Sequence, residues 1–207
     1  MIIGITGGTG CGKTTLLTEI EKLGGLVLDC DAIYHDLLRS DNQLLTAIEN
    51  RFPGVVEDGQ LNRKKLGAIV FSDEQALLDL NTITHGSVRK AVLCKLESQP
   101  ALAAIDAIAL FEGGLAELCD LTVAITAPTE DRVKRLMARD NIPEDYARSR
   151  IAAQHDADWF QERCDEILEN NGSLDTFQCK CLAFLARHDI MKETQKGDRY
   201  YDYRRTP

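Results

Sequence analysis

The sequence predicts an α/β fold, a P-loop NTPase-type parallel sheet of five strands wrapped by helices, with a helical lobe and a helical lid. Three observations carry that expectation. The octet Gly7-Gly8-Thr9-Gly10-Cys11-Gly12-Lys13-Thr14 satisfies G-x4-G-K-[ST] and stands between an apolar run and a helix-patterned segment. The runs over 103–110 and 121–126 are apolar nearly throughout, as parallel strands covered on both faces are. Helical patterns separate the strand candidates, which is the order a doubly wound sheet requires.

Taken in order, a strand over 2–6 is followed by a helix over 13–23, with Leu16, Leu17, Ile20 and Leu23 at helical spacing and Gly24-Gly25 as the stop. A short strand over 26–28 ends in Asp29-Cys30-Asp31. Helices are predicted over 32–39, 42–52, 63–71 and 73–97, with Pro53-Gly54 and Asp58-Gly59 at the breaks. Strands over 103–110 and 121–126 return the chain to the sheet. Charged helices over 129–140, 143–155 and 156–163 come next, interrupted by Asn141-Ile142-Pro143, where a hinge is expected. A weaker strand over 166–169, the turn Asn170-Asn171-Gly172 and a helix over 173–188 complete the domain. This reads as one domain over 1–190: a core of 1–31, 99–128 and 164–190, a lobe over 32–98 and a lid over 129–163. The remainder, 191–207, is a polar tail with Tyr200, Tyr201 and Tyr203, expected to be loosely docked.

Composition narrows the partners. A net charge of −9 argues against a nucleic-acid-binding surface, because phosphate-backbone affinity needs clustered Lys and Arg. No apolar run approaches the length of a bilayer span, and a first strand at residue 2 leaves no room for a leader, so no membrane partner is expected. The seven cysteines are odd in number and lack any C-x-x-C, which suits reduced thiols and a cytoplasmic location. A monomer or weak homo-oligomer is expected.

The octet has a mechanical meaning. Glycines let the backbone curl so that successive N–H groups face phosphate oxygens, and the following helix adds its positive end. Lys13 can reach the β- and γ-phosphates, and the Thr14 hydroxyl can ligate Mg²⁺. Asp31, at the carboxyl end of the second strand, can accept the proton of an attacking hydroxyl or can cap the next helix; residue type weighs these about equally. Arg132, Arg135 and Arg139 share one helix face, which reads either as a solvated basic stripe or as phosphate contacts. His35, His155 and His188 read as solvated or hydrogen-bonded, and Trp159 as a packing residue. A GTPase-like switch is disfavoured, because no N-K-x-D segment selects guanine.

Further landmarks join the loop. Leu28-Asp29-Cys30-Asp31, Asp58-Gly59-Gln60-Leu61-Asn62-Arg63, Leu80-Asn81, Thr84-His85 and the stretch from Asp106 through Glu112 follow in order. So do Arg135 through Asp140, Arg150 through Gln154, and Asp165 through Gly172. In order and spacing the chain resembles the dephospho-CoA kinases over roughly 2–187. That resemblance implies transfer of the ATP γ-phosphoryl group to the ribose 3′-hydroxyl of dephospho-CoA, the last step of coenzyme A biosynthesis. It implies that Gly8, Gly10, Cys11, Gly12, Lys13, Thr14 and Thr15 cradle ATP, with Asn171 and Gly172 at its adenine. It gives Lys13, Asp31 and Arg139 catalytic roles and Thr14 and Asp106 to Mg²⁺. Thr6, Asp31, Arg63, His85 and Glu112 fall to the acceptor. Arg135 is a less firm phosphate contact. Arg132 stands where the family commonly has glutamine and is expected on the surface. The chain departs from the pattern at Gly86 and Ile108, where the family has prolines, so a looser backbone is expected after His85. The alternatives are a kinase of another nucleotide or hydroxyl metabolite, and an ATP-binding paralogue without catalysis.

Overall fold

A computed structural model describes residues 1–190, so the expectation for the tyrosine-rich tail lies outside the described residues. Five parallel strands form the sheet: β1 (Ile2–Thr6), β2 (Leu26–Asp29), β5 (Ala103–Asp106), β6 (Leu121–Thr126) and β7 (Glu166–Glu169). Their order is β2-β5-β1-β6-β7, with β1 in the centre. Between them run α1 (Lys13–Lys22), α2 (Cys30–Ser40), α3 (Asn42–Arg51), α4 (Arg63–Val70) and α5 (Glu74–Leu96). Then follow α6 (Thr129–Asp140), α7 (Glu144–Ala152), α8 (Ala157–Gln161) and α9 (Leu174–Arg187). Because the strands are parallel, their last residues share one edge. The register pairs Asp29 with Asp106 and Ile5 with Asp106, which brings two carboxylates beside the loop that leaves β1.

Both sheet faces are covered, which explains the apolar strand sequences. Ile3, Ile5, Val123 and Ile125 pack against Leu16 and Ile20 of α1 and Phe177, Phe184 and Leu185 of α9. Leu28 and Ile105 pack against Ile33 of α2 and Val88 and Val92 of α5. The helical lobe has its own core of Leu44, Ile48, Phe52, Leu66 and Val70, and α6 with α7 a smaller one of Val133, Leu136, Ala147 and Ile151. Among the described residues no helix is long and apolar enough to cross a membrane.

Three expectations are corrected, and one predicted break gains a hairpin. The strand predicted over 103–110 ends at Asp106, and a turn follows in which Gly113 N–H bonds the Ala109 carbonyl and Leu115 N–H the Leu110 carbonyl. The apolarity past Asp106 reflects Ala107 and Leu110, buried in the cluster shared with α5, rather than strand pairing. The Asp58-Gly59 break is the tip of a hairpin, β3 (Val56–Glu57) with β4 (Gln60–Leu61); both tip residues have positive φ, 51° and 74°, as a two-residue hairpin turn demands. The backbone does not loosen after His85, since α5 runs unbroken through Gly86. Asp31 does not cap α2; Asp29 does, accepting from Ala32 N–H at 2.9 Å.

Candidate active site

The phosphate loop is a backbone cup held from behind. Gly7 and Gly12 have φ of 124° and 99°, open to glycine, and a Cβ on Gly7 would run into the Ile125 carbonyl. The Thr9 carbonyl accepts from Arg132 Nε at 2.9 Å, the Gly10 carbonyl from Arg135 Nη1 at 3.2 Å, and the Cys11 carbonyl from Asn170 Nδ2 at 2.8 Å. With these oxygens turned outward, the cup is lined by Gly8, Thr9, Gly10, Gly12, Lys13 and Thr14 around a cavity of about 700 Å³. Cys11 is buried and its thiol is pushed up by that burial, so it packs rather than reacts. Thr15 is half-buried behind the cup in α1.

Lys13 donates to the Gly7 carbonyl at 3.0 Å and lies 3.8 Å from Asp106 Oδ1. Asp106 Oδ1 is buried without a hydrogen-bond partner. Burial pushes the Asp106 carboxyl up to about 6, Lys13 pulls it down, and the nearby Asp29 and Asp31 raise it further. An orphaned buried carboxylate oxygen beside a phosphate cup fits a hard divalent cation brought in by a triphosphate. Asp106 and the exposed Thr14 line the same cavity. Among the described residues no cluster of three or more His, Cys, Asp or Glu could hold a metal alone. That donor set suits Mg²⁺, which keeps waters and phosphate oxygens as its remaining ligands.

Asp31 is exposed near the start of α2 and lines two cavities at once, the 700 Å³ cup and a pocket of about 230 Å³ towards the helical lobe. The smaller pocket brings Asp31 together with His85, Asn81, Thr84 and Tyr34. The other residues expected on the acceptor side do not line it. Arg63 is exposed, with Nη2 3.2 Å from His35 Nδ1. Glu112 is bonded at 2.7 Å to His155 Nε2, whose ring stacks 3.7 Å from Trp159. Thr6 is fully buried, its hydroxyl donating to the Ile108 carbonyl at 3.2 Å. Trp159 packs against Phe111 and Phe160. Asn171 and Gly172 are exposed just past β7, and Asn171 accepts from Lys180 Nζ at 2.9 Å.

The basic helix face divides. Arg132 is not on the surface: it is 8% exposed and bonded to the loop, because α6 lays this ridge against the cup. Arg135 also reaches the loop, and its Nη2 donates to Asn170 Oδ1 at 3.4 Å. Arg139 lines the cavity but is turned to Asp140, with contacts of 2.6 and 3.0 Å. Arg150 donates to the same carboxylate at 2.7 Å, and the two guanidiniums hold the Asp140 carboxyl well below the usual range. Arg150 and Gln154 border the cavity without a predicted role. Their spacing of four, around the end of α7, is the signal that places both on one side.

A family model of dephospho-CoA kinases matches residues 1–176. The chain is 34% identical over 193 residues to the dephospho-CoA kinase of Syntrophotalea carbinolica, covering 90% of this chain and 92% of that one. Against that of Geobacillus kaustophilus the identity is 32% over 199 residues, covering 93% and 99%. The crystal structure of TT1252 from Thermus thermophilus has a TM-score of 0.76 at 33% identity, covering 90% and 97% of the two chains. The dephospho-CoA kinase from Campylobacter jejuni gives 0.64 at 26%, covering 92% and 97%. A shikimate kinase from Acinetobacter baumannii, at 0.50 and 19% with coverage of 91% and 94%, shares the fold alone. The chain belongs to the dephospho-CoA kinase family.

Proposed function

We infer from that membership that the chain phosphorylates dephospho-CoA at its ribose 3′-hydroxyl, using ATP and producing coenzyme A. The observation that carries the site assignment is Asp31, which borders both the phosphate cup and the pocket of the helical lobe. An acceptor hydroxyl near Asp31 can attack the γ-phosphorus of a triphosphate held in the cup. A bond forms between the acceptor oxygen and phosphorus, the bond from phosphorus to the β–γ bridging oxygen breaks, and ADP leaves. Asp31 takes the hydroxyl proton. Lys13, at the cup floor, neutralises charge on the transferred group. The amides of Gly10 and Gly12 face the phosphates, while Gly8, Cys11 and Thr15 shape and seat the loop. Arg139 reaches the phosphates once it exchanges Asp140 for them. Mg²⁺ bound with the triphosphate would neutralise further charge, held on the protein side by Thr14 and Asp106.

His85 belongs to the acceptor pocket. Arg63 and Glu112 are proposed to engage outlying parts of the acceptor, and Thr6 to act indirectly by anchoring Ile108. Asn171 and Gly172 are placed at the adenine of ATP. The division into core, lobe over 32–98 and lid over 129–163 is retained on the separate apolar clusters of lobe and lid. A cytoplasmic setting is supported by the seven unpaired cysteines, and a monomer or weak homo-oligomer is proposed. The test is direct. Purified protein with Mg-ATP and a panel of hydroxyl acceptors is analysed by mass, and coenzyme A is the expected product. Product from another acceptor, with none from dephospho-CoA, would leave only a kinase of different specificity. Absence of any product with retained ATP binding would indicate a non-catalytic relative.

A further inference from the structure

We propose that Arg132 is a positioning residue for ATP, a strut that fixes the Thr9–Gly10 peptide so that the Gly10 amide faces the triphosphate. The proposal rests on the ATP-dependent reading above. Arg132, Gln154 and Thr9 close a triangle. Arg132 Nε donates to the Thr9 carbonyl at 2.9 Å, Arg132 Nη2 donates to Gln154 Oε1 at 3.0 Å, and the same Oε1 accepts the Thr9 N–H at 2.8 Å. Both backbone groups of one loop residue are therefore held by side chains from the two stems of the lid.

Peptide geometry turns this contact into a functional one. In a trans peptide the C=O and the following N–H point to opposite sides. With the Thr9 oxygen fixed against Arg132, the Gly10 N–H is directed the other way, into the cup. Gly10 has φ of 78° and no side chain of its own to anchor it, so an external hold has most value there. The Cys11 N–H is already committed to the Gly8 carbonyl at 3.2 Å and the Thr9 N–H to Gln154, whereas among the described residues the Gly10 N–H has no protein acceptor. Gly12 is served likewise by Asn170, bonded to the Cys11 carbonyl.

The surroundings of the guanidinium point to the same role. Arg132 is 8% exposed, and among the described residues both of its side-chain hydrogen bonds go to neutral oxygens, the Thr9 carbonyl and Gln154 Oε1. It lies behind the loop, bordering a second cavity with Gly8 and Gln154 rather than the cup, so it acts on ATP through the loop peptide. The planar fork lets one side chain hold Thr9 and Gln154 together, which an ammonium cannot reproduce.

The test compares wild type with Arg132→Met, Arg132→Lys and Arg132→Gln, measuring β,γ-imido-ATP binding by calorimetry and initial rates with each substrate varied. Arg132→Met, of similar bulk, is expected to raise the analogue Kd and the KM for ATP about tenfold or more. The KM for dephospho-CoA should stay within about twofold and kcat within about fivefold. Arg132→Lys should resemble Met, whereas Arg132→Gln, able to donate to Thr9, should recover to within about threefold of wild type. Unchanged ATP affinity in folded Arg132→Met, equal losses for both substrates, or a Gln variant no better than Met would each overturn the strut. If Arg132→Met fails to fold, Gln154→Met decides by the same criterion of an ATP-selective loss. A wild-type protein that binds the analogue but makes no coenzyme A would sink the dephospho-CoA reading, while the calorimetry still judges the strut.

Discussion

The phosphate loop and the distal end of the lid carry cations toward the same cavity, but they are held in opposite ways. In the loop, three successive carbonyls are fixed by Arg132, Arg135 and Asn170, and Lys13 lies 15% exposed between the Gly7 carbonyl and Asp106. At the lid end, Arg139 is 60% exposed and paired with its own neighbour Asp140, which Arg150 shares. The loop is organised before ligand arrives. In the proposed mechanism Arg139 changes partner, from Asp140 to the phosphates. Exposed ion pairs are worth little, so that exchange is energetically easy. A fixed anion cup and a cheaply released arginine are what a kinase needs to bind first and exclude water afterwards.

The largest effect belongs to the point where the two meet the acceptor. Asp31→Asn should lower turnover by about two to four orders of magnitude with ATP affinity nearly unchanged. Asp29 already caps α2, so the variant should keep its thermal stability; rates above about a tenth of wild type would remove the base. Lys13→Ala tests the preformed side and should cost at least about a hundredfold in turnover in a folded protein. Near-normal rates would take the loop out of the mechanism. Arg139→Met tests the exchanging side, with kcat expected to fall about ten- to a hundredfold and melting to shift little. A rise in ATP KM alone would instead make Arg139 a ground-state contact.

The smallest effect is on stability. Burial holds the Asp106 carboxyl at about 6, above its unfolded value of about 4, so folding stability falls as pH rises between those two values. Asp106→Asn, without Mg²⁺, should therefore be more stable than wild type by about 1–2 kcal/mol at pH 8, with the gain shrinking below about pH 6 and vanishing only near about pH 3. A destabilised variant at pH 8 would mean that Lys13 outweighs the burial.

What the sequence made legible follows the same division. The loop and the buried strands rest on local rules: glycine spacing, apolar runs and helix stops. The lid depends on long-range contacts that periodicity does not encode. The spacing of Arg132, Arg135 and Arg139 marks one helix face, but only tertiary packing shows that its near end is buried against Thr9 and its far end faces Asp140. Likewise the apolar run past Asp106 cannot distinguish a strand from a turn packed on α5, and the cap falls to Asp29 rather than Asp31 because α2 starts at Cys30, two residues before the predicted start at 32. The pairing of Glu112 with His155 joins residues far apart in the chain and has no local signature.

Both stems of the lid are bonded to Thr9, through Arg132 and Gln154, and on that ground we propose that closure is confined to the distal end around 139–146. Hydrogen exchange followed by mass spectrometry, with and without β,γ-imido-ATP and dephospho-CoA, tests this preformed-loop, exchanging-lid account most directly. The account predicts that peptides over 139–146 slow markedly on saturation, while those over 129–135 and 150–155 are protected beforehand and change little. Equal slowing over all three, or slowing confined to the stems, would contradict it.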